Sequence, residues 1–283
     1  MAEIPLMLCE KAKWGEFPEG WFYEPKFDGA RAVAEVKGGQ VKITGRSGSD
    51  YTFRFPELVQ ALSRLPDCKL DGEIMCKDWG STATRTHTDD LFKISLLAKL
   101  SPATYHIFDI LELDGQLLVS KPLRERKEIL KTLPLDGCLS LVLPQPLEVL
   151  REKAEKGEIE GIVAKNPHSP YLFKRSPYWL KFRPQITVEL PVIGWEDSDK
   201  KDRPYRSLIL LYKGREVQAS SGLTQEDLAR TDEIFARTPH RKVGTKNYFI
   251  GGHYSAEVEF FSREDIPFRF PKVVCLKLEW QEG

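Results

Sequence analysis

The stretch Glu24-Pro25-Lys26-Phe27-Asp28-Gly29-Ala30-Arg31 joins an aromatic run ending at Glu24 to an alternating run over residues 30–36. Both runs read as strands, so the stretch puts a lysine at a strand end, followed by an acid, a glycine and an arginine. A lysine attacks phosphorus only as the free amine, and it loses its proton readily only where burial or nearby cations favour that; Arg31 or a bound metal would supply such a cation. Glycine at position 29 lets backbone come close to a phosphate or a nucleotide. Each of these residues alone is ordinary surface, but the spacing K-x-D-G-x-R is seldom met by chance.

Working outward, a Gly38-Gly39 turn and alternation over 41–44 complete a hairpin. Helical spacing marks 56–65, 85–99, 122–132 and 147–156, and the third of these carries Arg124, Arg126, Lys127 and Lys131 on one side. Strand-like runs fall at 69–75, 105–111, 161–165 and 179–182. The sequence Arg183-Pro184-Gln185 breaks the pattern. Short strands follow at 188–195, 207–212, 216–220, 256–261 and 273–278, interrupted by one helix over 225–237, an inventory that predicts a small Greek-key barrel of the OB-fold kind. The expected division is therefore 1–184 and 185–283, α+β overall.

Composition agrees with a globular chain. Of 283 residues, 41% are hydrophobic and 30% charged, and no apolar run approaches the roughly 20 residues of a membrane helix. The opening residues show no basic segment leading into an apolar stretch, so a cytoplasmic location and no membrane partner are expected. Five scattered cysteines, none in a C-x-x-C pair, predict reduced thiols rather than disulfides or a zinc site. Lys plus Arg balances Asp plus Glu at 42 each, so any polyanion must be met by local clusters of cations rather than by net charge.

Three more constellations follow the first in order. Leu70-Asp71-Gly72-Glu73 sets carboxylates on a short strand; Glu160-Gly161-Ile162-Val163-Ala164-Lys165 offers an acid, a strand and a base; Trp179-Leu180-Lys181-Phe182-Arg183 alternates cations with apolar residues. Each read alone is a turn, a core strand with charged ends or an amphipathic edge strand.

Together these segments resemble the ordered motifs of the covalent nucleotidyltransferases, most closely ATP-dependent DNA ligases of the small phage-like and bacterial type. Lys26, Asp28, Gly29 and Arg31 match the lysine motif, and Thr44-Gly45-Arg46-Ser47-Gly48 the arginine motif after it. Asp71 to Glu73 match the third motif, Phe108-Asp109 the aromatic one, Glu160, Gly161 and Lys165 the fourth, and Lys181 with Arg183 the fifth. Arg183 departs from the pattern, since a second lysine usually stands there. The family's C-terminal R-x-D-K sequence is also absent, with Lys277 as its candidate replacement.

The resemblance implies an ATP-grasp-like adenylyltransferase domain of antiparallel sheets and helices, followed by an OB-fold β-barrel. It implies that Lys26 takes AMP from ATP, passes it to the 5′-phosphate of a nick in duplex DNA, and that the 3′-hydroxyl then displaces it. Lys26, Asp28, Arg31 and Lys181 carry the chemistry in this picture. Glu24 accepts from the adenine amino group and Phe108 stacks on the base. Glu73 and Glu160 hold Mg²⁺ or Mn²⁺, with Glu73 also near the ribose. Arg46, Lys165, Lys181 and Arg183 meet phosphates. A monomer is expected. With only about 25 residues before the lysine motif, DNA affinity is expected to come from basic residues such as Lys93, Lys99, Arg175, Lys200, Lys201 and Arg206. An RNA ligase, an mRNA-capping guanylyltransferase and a catalytically lapsed nick-binding protein remain as alternatives on these motifs.

Overall fold

The computed structural model describes residues 5–200, 203–261 and 268–282; Lys201, a candidate phosphate contact, lies outside them. The chain divides into two units, Met1–Arg183 and Pro184–Gly283.

In the first unit the elements run β1 (Leu8–Lys11), β2 (Phe22–Pro25), β3 (Ala30–Lys37), β4 (Gln40–Gly45), α1 (Pro56–Leu62), β5 (Cys68–Met75), α2 (Trp79–His87), α3 (Leu91–Leu100), β6 (Thr104–Leu113), β7 (Gln116–Leu117), α4 (Leu123–Lys131), β8 (Leu139–Leu141), α5 (Leu147–Glu155), β9 (Ile162–Lys165) and β10 (Arg175–Phe182). They make two sheets, β4-β3-β5-β6-β7 with β8 on β6, and β1-β10-β9-β2. The expected wholly antiparallel pairing is corrected at two places, because β1 joins β10 and β8 joins β6 in parallel. Parallel neighbours need long connections, and β1 reaches β10 from the other end of the unit.

Period-2 alternation decides which face each sheet buries. On β3 and β5, Ala32, Ala34, Leu70 and Ile74 join Leu58 and Leu62 of α1 in the principal core. Pro56 opens α1 at its first position, where the missing N–H costs nothing. The second sheet turns Ile162, Ala164 and Phe182 toward Leu150 of α5. The single helix expected over 85–99 is instead two. Asp90 accepts from the Phe92 and Lys93 amides at 2.9 and 3.1 Å and starts α3 afresh, a cap that outweighs helical periodicity across the break.

The second unit contains β11 (Ile186–Asp197), β12 (Tyr205–Tyr212), β13 (Arg215–Ala219), α6 (Gln225–Arg237), β14 (His240–Val243), β15 (Lys246–Phe249), β16 (Gly252–Phe261) and β17 (Arg269–Glu282). The helix falls on the expected residues because Thr224 and Asp227 form a reciprocal capping box at its start. The hairpin β14–β15 was not legible in the sequence: β14, His-Arg-Lys-Val, is exposed throughout and carries no buried alternation. The strands form one seven-stranded sheet around Trp195, Tyr205, Phe235 and Phe260, and the ladders of the described residues do not close into a barrel. No helix among the described residues is long and apolar enough to cross a membrane, and all five cysteines are free thiols.

Candidate active site

The second sheet of the first unit presents one face to a cleft. Lys165 lies opposite Trp179, and Val163 opposite both Lys181 and Glu24, so these five side chains share that face while their neighbours pack into the core. The first sheet contributes Arg31, Arg46, Glu73 and Phe108. Phe108 comes from a bulge, because Asp109 pairs with Asp71 and Ile107 with Gly72, which leaves one extra residue on β6. Its ring meets Trp179 edge-on at 6.0 Å.

Lys26 follows β2 directly and stands at the rim. Its amide donates to the Gly161 carbonyl at 2.9 Å, and its Nζ is ion-paired with Glu160. Gly161 has to be glycine, since a Cβ there would strike the Phe182 carbonyl oxygen. Glu160 is 2% exposed and is shared between Lys26 and Arg183. Arg31 is held differently. Its Nε and Nη2 bind both oxygens of Asp71 at 2.6 Å in a fork, and the Tyr171 hydroxyl donates to the same carboxylate at 2.7 Å. The Arg31 guanidinium lies 4.5 Å from the Phe108 ring centroid, and Lys165 Nζ lies 4.1 Å from it, so cations already occupy the aromatic wall.

Beneath the cleft runs a buried row of charges. Glu24 Oε2 is 2.7 Å from Lys165 Nζ, its Oε1 is ion-paired with Lys127 Nζ, and all three residues are 2% exposed. Burial pushes the Lys127 ammonium down to about 8, partly offset by Glu24. Burial also holds Lys181 below the usual lysine range, helped by Arg183 and Lys26. Burial lifts the Glu73 carboxyl to about 7, while Arg31 and Lys26 pull it back and Glu160 adds to the rise.

The raised Glu73 has a measurable consequence. The folded chain keeps a proton there that the unfolded chain has lost, so stability falls as pH rises from 4.5 to about 7. Glu73→Gln, neutral throughout, is expected to escape that loss. Thermal unfolding at pH 5 and pH 8 checks it: the drop in midpoint is larger for the wild type than for Glu73→Gln, and equal drops would contradict burial as the cause.

Of the residues singled out from sequence, Glu24, Lys26, Arg31, Arg46, Glu73, Phe108, Lys165 and Lys181 line this one cleft. Glu160 and Arg183 adjoin it through Lys26. Asp28, in the turn between β2 and β3, is not among the lining residues. Arg175 lines the cleft and donates to the Cys9 carbonyl. In the second unit Lys277 is ion-paired with Glu189. Sequence reasoning missed Asp71 and Tyr171 as the clamp on Arg31, and Lys127 as the partner of Glu24. The signal for Lys127 was present: positions 123, 126, 127 and 130 form the inward stripe of α4, where Leu123 and Leu130 bracket two charged residues that must then be buried and paired. Arg126 and Lys127 therefore do not share an outward basic side with Arg124 and Lys131, which are the exposed pair.

The fold is that of a nucleotidyltransferase. The model of the ATP-dependent DNA ligase domain family matches residues 7–183, and the chain belongs to that family. It is similar to the SPbeta prophage-derived DNA ligase-like protein LigB of Bacillus subtilis, 33% identical over 203 residues, covering 69% of this chain and 73% of that protein. It is also similar to the multifunctional non-homologous end joining protein LigD of Mycolicibacterium smegmatis, 26% identical over 282 residues. That match takes in 92% of this chain but 36% of the longer protein. Among solved structures, the ligase domain of M. tuberculosis LigD shares the fold with a TM-score of 0.54 at 23% identity, covering 97% of this chain and 95% of that one. A structure from the Lig E DNA ligases does so with a TM-score of 0.66 at 16% identity, covering 96% and 98%.

Proposed function

We propose that the chain is an ATP-dependent DNA ligase that seals 3′-hydroxyl/5′-phosphate nicks in duplex DNA through an AMP carried on Lys26 Nζ. The observation that carries this reading is the amine of Lys26 at the rim of a cleft lined by Arg31, Arg46, Lys165 and Lys181. Transfer of a nucleotidyl group asks little covalent help beyond the nucleophile and much neutralisation of phosphate charge. Lys26 Nζ attacks the α-phosphorus and pyrophosphate leaves. Glu160, in contact with that nitrogen, orients it and is placed to receive its proton. Lys181 and Arg183 meet phosphate oxygens, and Arg46, exposed at the end of β4, meets the 5′-phosphate of the nick; Lys165, buried against Glu24, braces the base-binding carboxylate instead of a phosphate. Glu24 and Phe108 form the base-binding end. The first unit, expected from sequence as 1–184, is the ATP-grasp-like adenylyltransferase domain. The unit 185–283 is the OB-fold domain, a reading supported by the bridge between Ser221 and Lys272 that links the end of β13 to β17.

The donor set also fits a divalent cation of the Mg²⁺ kind. Glu160 adds to the cost of ionising Glu73, which a bound cation would relieve. Among the described residues no third His, Cys, Asp or Glu converges there, so water and phosphate oxygens complete the shell, as Mg²⁺ prefers. When bound, the metal supplies charge for the phosphates and the leaving group.

The experiment is a sealing assay on nicked duplex DNA labelled at the 5′-phosphate, with ATP and Mg²⁺, alongside nicked RNA and hybrid duplexes. Joining of the DNA substrate is expected. Labelling of the protein by ATP without any joining would favour the lapsed nick-binder, and preference for GTP would favour the capping enzyme.

A further inference from the structure

One buried charged group beside the cleft is left unused by the transfer chemistry. Lys127 is 2% exposed and does not line the cleft, yet its Nζ is ion-paired with Glu24 Oε1 and donates to the Val142 carbonyl at 2.8 Å. A buried ammonium is costly to desolvate, and an apolar side chain of the same length would fill the space without that cost. Glu24 and Lys165, which do line the cleft, are joined at 2.7 Å through the other carboxylate oxygen. Glu24 is thus gripped by one ammonium on each oxygen.

A carboxylate offers about four lone-pair sites, and two ion pairs leave about half of them open. With both oxygens pinned, the plane of the group is fixed and the open lone pairs keep fixed directions. Such an acceptor welcomes an exocyclic amino group and repels a ring carbonyl oxygen at the same position. We infer that Lys127 is a positioning residue for purine selection: by clamping Glu24 Oε1 it holds the carboxylate in the orientation that accepts the 6-amino group of adenine and rejects the 6-carbonyl of hypoxanthine or guanine. The inference rests on the reading of this cleft as the ATP site.

The groups that face Lys127 are Glu24 on β2, Lys165 on β9 and Asp109 on β6, the last already forked to Arg126. Burial among them brings the loss of the Lys127 proton down to about 8. The clamp therefore weakens as pH rises through that value.

The test is self-labelling by ATP and by ITP in wild type, Lys127→Met and Glu24→Gln. Lys127→Met leaves Glu24 and Lys165 as a neutral buried pair, so no charge is orphaned. Its ATP-over-ITP preference in kcat/KM is expected to fall about tenfold, mostly through KM for ATP, with kcat changed less than about threefold. Glu24→Gln is expected to lose at least as much. Between about pH 7 and pH 8.5 the wild-type preference declines toward that of Lys127→Met, whose own preference stays flat. This pH arm needs no variant, so it decides the matter even if Lys127→Met folds poorly. Unchanged preference in Lys127→Met or across pH in the wild type, while Glu24→Gln loses it, overturns the role of Lys127 and leaves the ATP site standing. Unchanged preference in Glu24→Gln overturns the clamp as selector. No label from either nucleotide on the wild type overturns the underlying reading as well.

Discussion

Lys26→Met is expected to lose self-labelling by ATP by a factor on the order of 10⁴ or more, because it removes the one protein atom that the proposed scheme bonds to phosphorus. The substitution should not unfold the site. Methionine has similar length, and Glu160 keeps Arg183 as a partner when Lys26 is gone. The Lys26 amide still donates to the Gly161 carbonyl, since that bond belongs to the backbone. Two controls separate loss of the nucleophile from loss of structure: the thermal midpoint stays near the wild-type value, and a nick already carrying AMP on its 5′-phosphate is still joined, because that step makes no bond to residue 26. Retained labelling in Lys26→Met would place the nucleophile elsewhere.

The largest stability effect is expected at the pair behind the cleft. Arg126 and Asp109 are both fully buried, with Nε to Oδ1 at 2.8 Å and Nη2 to Oδ2 at 2.9 Å. Arg126 Nη1 also donates to the carbonyls of Lys121 and Ser169, at 2.5 and 3.2 Å. One side chain thereby ties β6, the start of α4 and the turn at 166–169 together. Arg126→Met removes a fork and two carbonyl bonds and leaves a buried carboxylate unpaired, a loss of about 3–5 kcal/mol. For a unit of this size that lowers the midpoint by roughly 10 °C. The double variant Arg126→Met with Asp109→Leu is expected to recover part of the loss, because no charge is then stranded. A shift within about 1 °C for Arg126→Met alone would contradict the burial argument.

How much of this was written in the sequence depends on the range of the interaction. The lysine turn, the Gly38-Gly39 hairpin and α6 are local, and their residues announce them. The cleft face was legible in part, since alternation on β9 and β10 puts Val163, Lys165, Trp179 and Lys181 on one side whatever the rest of the chain does. What joins distant segments was not. The pairing of β1 with β10 and the Arg31–Asp71–Tyr171 cluster span 40 to 170 residues and follow from tertiary packing alone. Lys127 was obscured for another reason: a basic residue on an amphipathic helix is ordinarily solvated, and only its place in the inward stripe distinguishes it.

The central claim is a bond between one nitrogen and one phosphorus. Intact-mass spectrometry of the purified chain after incubation with ATP and Mg²⁺, followed by peptide mapping, reads it directly. The account predicts a gain of one AMP less one water, carried by the peptide that contains Lys26, stable to alkali and removed by added pyrophosphate. An adduct on any other residue, or a chain that stays unmodified while nicked DNA is still sealed, would contradict it.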